Sequence, residues 1–560
     1  MLVLAAAVTT LVAQPQPTSA SRPDLIVVIS IDQFPYRYIE TFRPYFASDG
    51  FNRFLDRGAN FTQAKYSYAT TFTGPGHAAI GSGHTPSRSG IIANTWFDRL
   101  DGAPMYCVND SQVTPPFSPL NLQSDSLGDR LQEKYPGSKV FGVAIKDRAA
   151  ILMAGRKATA AYWFEPLNER FTSSSYYSKA SRTLVAEYNK TIPDYVKAHP
   201  VWEQSSFIPP EALQKLTHDP ENLRKYKSNR AGLGVSFPHP IRGADAITYT
   251  PFGNGLVIGF AERLIESENV GTEDDSPDLV FVSLSSPDYL GHNYGPESLE
   301  VADTVVRTDR DLAGFLEFLD RTFGDRYTVA LTADHGVQSI PEVARDMGRD
   351  AGRVSLRNPG ANIRTFGELA EIAPARFELE KRVAAALGHP IAEKTSIDDE
   401  IILYFEEPAV YLNWIRIHEL KLDGERVKRL VRNAATKLPG VSAAFTNSEL
   451  LAPNRDASEL EKIVRRSFRA DRSGDVLITL KPGYIWDYNG TGTTHGQPVD
   501  ADQHVPVMLY GRGIKHLSSN EPVAPTDIAK TLGALVGLDA GDADTQVLPC
   551  VSAAAAKAAP

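Results

Sequence analysis

The chain has 560 residues, 42% apolar and 22% charged, which is enough for one large core with insertions or for two to three domains. Its net charge of −10 argues against non-specific nucleic-acid binding, which needs a basic face, but leaves room for a small basic anion pocket. With only Cys107 and Cys550 present, a cysteine-rich metal site is excluded, so any zinc must be held by histidine and carboxylate.

The first residues, MLVLAAAVTTLVA, form an apolar run too short to span a bilayer comfortably. Ala13 and Ala20 are small residues suited to cleavage, so residues 1–20 are expected to be a signal peptide, although no Lys or Arg precedes the run. The mature protein is then expected to be periplasmic or secreted, with no stable membrane span. In an oxidising compartment Cys107 and Cys550 could close one very long disulfide loop.

Runs rich in Val, Ile and Leu at 25–31, 140–145, 279–284, 327–331 and 505–510 read as buried parallel strands. Helical patterns lie between them, as at 298–319, and a last helix is predicted over 525–536. This alternation predicts an α/β fold with a mainly parallel central sheet flanked by helices. The core is predicted in three parts: 21–161, 251–345 and 476–550. Residues 162–250, rich in Tyr, Ser, Asn and Pro, read as a loop-rich insertion. Residues 346–475 read as a second cap, with helical patterns at 378–387 and 425–437 and a strand at 401–405. The Ala-rich residues 551–560 are expected to form a disordered tail.

Chemistry-bearing residues fall just after the strand runs: Asp32, then Lys146 and Arg148, then Asp288, then Asp334. In open α/β sheets, ligands bind outside the carboxyl ends of the strands. Asp288 and His292, in PDYLGH, are four apart and share one side of a helical turn. Asp334 and His335, in TADHG, can face one ion only if the strand ends before them, and Gly336 fits that break. His495 sits in the loop GTGTTHGQP. These six nitrogen and oxygen ligands are enough for two ions and suit Zn²⁺ better than Mg²⁺. Thr73, in TTFTGPGHAAIGSG, precedes Pro75, a good first-turn residue. A hydroxyl at a helix N-terminus meets a partial positive charge and free N–H groups, which suit an anion. Metal coordination is one way to activate such a hydroxyl. On residue type alone, Thr70 and Thr71 are equal candidates.

The strings SIDQF, TFTGPGHAAIGSGHTPSRSGIIANTWFD, KDRAAILMAG, SLSSPDYLGHNYGPES, LTADHGV and TTHGQP follow one another in this order. Together they resemble the alkaline phosphatase superfamily, most closely its PafA-like periplasmic branch with a threonine nucleophile. The resemblance covers the whole mature chain and implies an alkaline-phosphatase-like core with inserted caps. It implies a zinc-dependent hydrolase of phosphate monoesters that works through a covalent phosphothreonine. One zinc would be held by Asp288, His292 and His495, the other by Asp32, Asp334, His335 and the Thr73 oxygen. The resemblance selects Thr73 over its neighbours and assigns Asn94, Lys146 and Arg148 to the phosphate.

Charge counting points the same way. Two Zn²⁺ balance Asp32, Asp288, Asp334 and a Thr73 alkoxide, which leaves Lys146 and Arg148 to match the two charges of a monoester. The alternative is a phosphodiesterase or nucleotide pyrophosphatase using the same two-zinc site. The string HTPSR resembles the sulfatase C-x-P-S-R, but His84 stands at the modifiable position. Small-molecule phosphate monoesters are the expected partners, with no nucleic acid, and the chain is expected to be a monomer.

Overall fold

A computed structural model describes residues 22–272, 276–355, 366–389, 391, 396–538 and 545–552. Its centre is a nine-stranded sheet. In chain order the strands are β1 (Leu25–Ile31), β2 (Ala59–Phe61), β3 (Val140–Ala144), β4 (Ala160–Glu165) and β5 (Arg170–Thr172). They continue as β6 (Asp278–Leu284), β7 (Tyr327–Thr332), β8 (Val507–Gly511) and β9 (Leu517–Ser519). Their order across the sheet is β9-β2-β8-β7-β1-β6-β3-β4-β5.

Every residue of β1, β6 and β7 is buried, as apolar runs covered on both faces require. Leu25, Val27, Ile29 and Ile31 enter one core cluster, while Ile26 and Val28 enter a second on the opposite face. β7, β1, β6, β3 and β4 run parallel.

β8 corrects one expectation, because it pairs antiparallel with β7. Apolarity reports burial and not direction, so the 505–510 run could not reveal it. Val507, which opens β8, lies opposite Thr332 at the carboxyl end of β7. The chain therefore enters β8 from the end of the sheet where the chemistry collects.

Five helices matter for the site and its support: α1 (Thr73–Ser82), α2 (Asp147–Ala154), α3 (Ser286–Tyr294), α4 (Leu299–Phe323) and α5 (Asp527–Leu535). The helix expected over 298–319 is α4. Its N-cap is Ser298, whose side chain accepts the Val301 N–H, and it runs one turn further.

The sheet also runs past residue 161, because β4 and β5 form its far edge. The remainder of 162–250 is less loop-like than its composition suggests, with helices at Arg182–Asn189, Ile192–Ala198, Pro210–Leu216 and Ala244–Thr248. The 346–475 region builds a four-stranded sheet from Ile402–Glu406, Ala409–Leu412, Val476–Leu480 and Val441–Thr446, in that order. Helices Pro374–Ala386 and Gly424–Ala435 share its separate core. The strand Val476–Leu480 therefore belongs to the cap, although residues from 476 on were expected in the core.

Cys107 and Cys550 are both free and buried, and they belong to different core clusters. The disulfide is thus ruled out. Val551 bridges to Ile514, and Ser552 donates its N–H to the Gly513 carbonyl, so the tail is ordered to 552. The expected signal peptide and residues 553–560 lie outside the described residues. Among the described residues, no helix is long and apolar enough to cross a membrane.

Candidate active site

Ends of β1, β6 and β7 bring three carboxylates together. Asp32 directly follows β1, Asp288 sits in the first turn of α3 after β6, and Asp334 follows β7 by two residues. All three are buried. Asp32 Oδ1 accepts from Ser283 Oγ at 2.7 Å, and Asp334 Oδ1 accepts the Gln33 N–H at 3.0 Å. Asp288 Oδ1 accepts from Gln33 Nε2 at 2.9 Å. Gln33 thus links two of the three carboxylates from the residue after Asp32.

Three histidines aim their Nε2 atoms at these carboxylates. The Nδ1 atoms of His292, His335 and His495 lie 2.7, 3.0 and 2.7 Å from the carbonyls of Thr493, Gly336 and Thr71. A carbonyl can only accept, so each Nδ1 carries a proton, and the neutral form of each ring would present its Nε2 lone pair to the site. Histidines that bind metals are held in this way by an outer hydrogen bond. His292, His495 and His335 place Nε2 at 3.2, 3.6 and 3.9 Å from Asp288 Oδ1. His335 Nε2 is also 3.1 Å from Asp334 Oδ2, so it stands between the two carboxylates. Its ring stacks on that of His495 at 3.4 Å.

Two compact groups of side chains able to ligate a metal result. Asp288, His335 and His495 form one, and Asp32, His77 and Asp334 the other. Asp32 Oδ2, Asp334 Oδ2 and His335 Nε2 are buried and make no hydrogen bond, their near neighbours being Lys146 Nζ for the first and each other for the last two. Buried polar atoms without partners are costly, and converging carboxylates and imidazoles are the donor set that Zn²⁺ takes. The residues therefore fit metal ions.

The grouping differs from the expected one at two places. His335 joins Asp288 and His495 while staying in reach of Asp334, and His77 joins Asp32 and Asp334. His77 escaped the sequence reading. Its Nδ1 lies 2.8 Å from the Thr73 carbonyl and its Nε2 3.2 Å from Asp32 Oδ1. The signal was its spacing, since it follows Thr73 by four residues on α1.

Electrostatics tie the carboxylates to a single lysine. Lys146 Nζ lies 2.6 Å from Asp288 Oδ2 and 3.1 Å from Asp32 Oδ2. Burial pushes the Asp288 carboxyl up, but Lys146, His292 and His495 outweigh it and hold it well below the usual carboxylate range. For Asp32, burial is again outweighed, here by Lys146 and His77. Burial pulls Lys146 down, yet Asp288 and Asp32 keep its ammonium charged. Burial, together with His335 and His292, pushes His495 well below the ordinary imidazole range, into the neutral form that ligates metals.

Thr73 opens α1 and is buried. Lys146 Nζ donates to its Oγ1 at 3.5 Å and Arg148 Nη2 at 3.4 Å. Thr70 and Thr71 point elsewhere: their hydroxyls donate to Ser467 Oγ and to the Gln497 carbonyl. The first turn of α1 does not offer the run of free N–H groups expected of it. The Gly74 N–H is taken by Asn94 Oδ1 at 2.7 Å, Pro75 has none, and the Gly76 N–H bonds the Phe72 carbonyl. That bond fixes Asn94 with its Nδ2 as the remaining donor, beside Thr73. Arg148 is in turn oriented by Tyr106, whose hydroxyl accepts from Nη1 at 3.2 Å and donates to Asp147 Oδ1 at 2.6 Å. No sequence pattern marked Tyr106.

The family follows from comparison with known proteins. Residues 26–501 match the model of the type I phosphodiesterase / nucleotide pyrophosphatase family. The chain belongs to this family. It is 31% identical over 536 residues to "Alkaline phosphatase PafA" of Elizabethkingia meningoseptica, covering 92% of each chain. It is 31% identical over 540 residues to "Alkaline phosphatase PhoV" of Synechococcus elongatus, covering 93% of this chain and 91% of the relative. A crystal structure of wild-type PafA superposes with a TM-score of 0.79 at 29% identity, covering 92% of this chain and 96% of the other. The chain is a phosphoester hydrolase, and its α/β core with a large, mostly parallel sheet is of the alkaline-phosphatase-like kind.

Proposed function

We propose that this protein is a zinc-dependent alkaline phosphatase that hydrolyses phosphate monoesters through a phosphothreonine at Thr73. The observation that carries the reading is one buried hydroxyl with two cations, Lys146 and Arg148, donating to it beside two clusters of metal-ligating side chains. Asp288, His292 and His495 would hold one zinc. Asp32, Asp334 and the Thr73 oxygen would hold the other, with His335 within reach of both. Zinc in such a pair acidifies a bound hydroxyl and offsets the charge on phosphoryl oxygens.

The chain's own residues supply the rest. Thr73 Oγ1 gives up its proton and attacks phosphorus, the bond from phosphorus to the alcohol oxygen breaks, and the departing alkoxide takes up a proton to leave as the alcohol. Lys146, Arg148 and the Asn94 amide hold the non-bridging oxygens, so positioning and charge carry most of the acceleration. Water then attacks phosphorus, the bond to Thr73 Oγ1 breaks, one proton of the water ends on Oγ1, and phosphate leaves. Two cations match a dianionic monoester, whereas a diester has one charge and a second bulky group. The N-terminal apolar run supports export, with action in the periplasm or outside the cell.

Thr73→Ala should lose on the order of 10³-fold or more in monoester turnover while still binding zinc. Wild-type turnover in that variant would sink the nucleophile assignment. Turnover of a diester faster than a monoester, sensitive to chelation, would replace the reading with a phosphodiesterase on the same site.

A further inference from the structure

A cavity of about 350 Å³ opens beside the phosphate cations. Lys146 and Arg148 are among its lining residues, and the same two side chains donate to Thr73 Oγ1. A group esterified to a phosphate held by these cations therefore has this cavity as a neighbour. The rest of its wall is mostly aromatic and apolar, with Phe117, Trp163, Leu167 and Tyr289 contributing. Phe117 meets Trp163 edge-on at 6.2 Å. Tyr289, next to Asp288, stacks on Tyr249 at 4.6 Å and carries the Lys146 ammonium over its ring at 5.2 Å.

The carboxylates in the wall are already engaged. Asp147 accepts from Tyr106 Oη, and Glu165 accepts from Asn168 Nδ2 at 3.0 Å. Such a wall offers a ring faces and edges to pack on and offers a polyol few unpaired partners. Leu167 also lines the cavity and is 93% exposed. Larger clefts exist elsewhere, one lined by Arg170–Asn189 residues and one near Lys65 and Arg466, but neither includes Lys146, Arg148 or Thr73.

We propose that this cavity seats the leaving group of the substrate and that the enzyme favours phosphate monoesters of aromatic alcohols over those of small alkyl alcohols. The inference rests on the monoester reading above. Phe117 and Leu167 are then specificity-determining residues that touch the ring and not the phosphate.

The test compares kcat/KM for phenyl phosphate and methyl phosphate in the wild type, Phe117→Ala and Leu167→Asp. Each variant is judged by its change in the phenyl-to-methyl ratio, which cancels the intrinsic difference between the two leaving groups. Both should lower the ratio by roughly 5- to 10-fold, the scale of one lost aromatic contact. Methyl phosphate turnover and inhibition by inorganic phosphate should stay at wild-type values. The exposed position of Leu167 keeps the fold out of question for that variant. An unchanged ratio, or equal losses on both substrates, overturns the cavity assignment and leaves the monoester reading standing. A wild type that turns over neither monoester overturns the reading beneath it.

Discussion

Arg148 shows how a single side chain at this site gains its function from others. Its guanidinium reaches Thr73 with one nitrogen while Tyr106 holds the other, and Tyr106 is in turn held by Asp147. A hydrogen bond from a charged group to phosphate contributes about 1.5–3 kcal/mol. Arg148→Ala should therefore lower monoester kcat/KM roughly 10- to 100-fold, and diester kcat/KM several-fold less, because a diester has one charge to match. Tyr106→Phe should reproduce this bias at about 5-fold, since it loosens the guanidinium without removing its charge. Asp147 keeps the Arg148 backbone N–H at 2.6 Å, so the Tyr106 variant should unfold like the wild type. Equal losses on the two substrates would remove the charge-matching argument. The sequence made Lys146 and Arg148 visible because they follow a strand run directly. Tyr106 stayed hidden because it comes from a hairpin 42 residues before Arg148, and only the fold brings them together. His77 was hidden for a different reason: a histidine among Ala and Gly on a helix reads as core, and its role depends on facing Asp32.

Among the elements, α1 decides where Thr73, the proposed nucleophile, stands relative to the candidate metal ligands. A Cβ at Gly76 would meet the Asp334 carbonyl oxygen at 2.4 Å, so α1 lies directly on the segment that presents Asp334 and His335. Ala normally favours a helix interior over Gly by about 1 kcal/mol. Here the clash is with backbone, and overpacking of this kind costs about 1–3 kcal/mol, so the net sign is destabilising. Gly76→Ala should lower unfolding stability in urea and cut turnover at least about 10-fold by displacing Thr73. Gly314, inside α4 with nothing near its would-be Cβ, gives the opposite sign. Gly314→Ala should add roughly 0.5–1 kcal/mol and leave turnover alone. A stabilised, fully active Gly76→Ala would mean that the close approach is not required. At this scale the strand ends carrying Asp32, Lys146, Asp288 and Asp334 were legible, because fully buried apolar runs are bounded by polar residues. The direction of β8 and the true edge of the sheet at β4 and β5 were not, since pairing is decided by neighbours distant in the chain.

For the whole molecule, the proposed metal ligands come from residues as far apart as Asp32 and His495, and they meet only when β1, β6, β7 and the 493–495 loop are in place. An unfolded chain holds no such cluster, so an ion bound there stabilises the native state alone. Free zinc at 100 times its dissociation constant would add about 2.7 kcal/mol. Chelation should therefore lower the melting temperature by a few degrees, and zinc should restore it. The cap has its own core and touches the site region through Ser467, whose Oγ accepts the N–H groups of Ala69 and Thr70, and through the Leu480 N–H to Gln497. None of the six ligands comes from it. The zinc-dependent shift should consequently fall on the calorimetric transition of the central sheet and leave any separate cap transition unmoved. Thr73→Ala should keep most of the shift, since six ligands remain, whereas Asp288→Asn should lose much of it by weakening a shared carboxylate. A melting temperature indifferent to chelator in the wild type would show that the buried cluster binds no structural share of metal, and with it the proposed basis for acidifying Thr73 would fall.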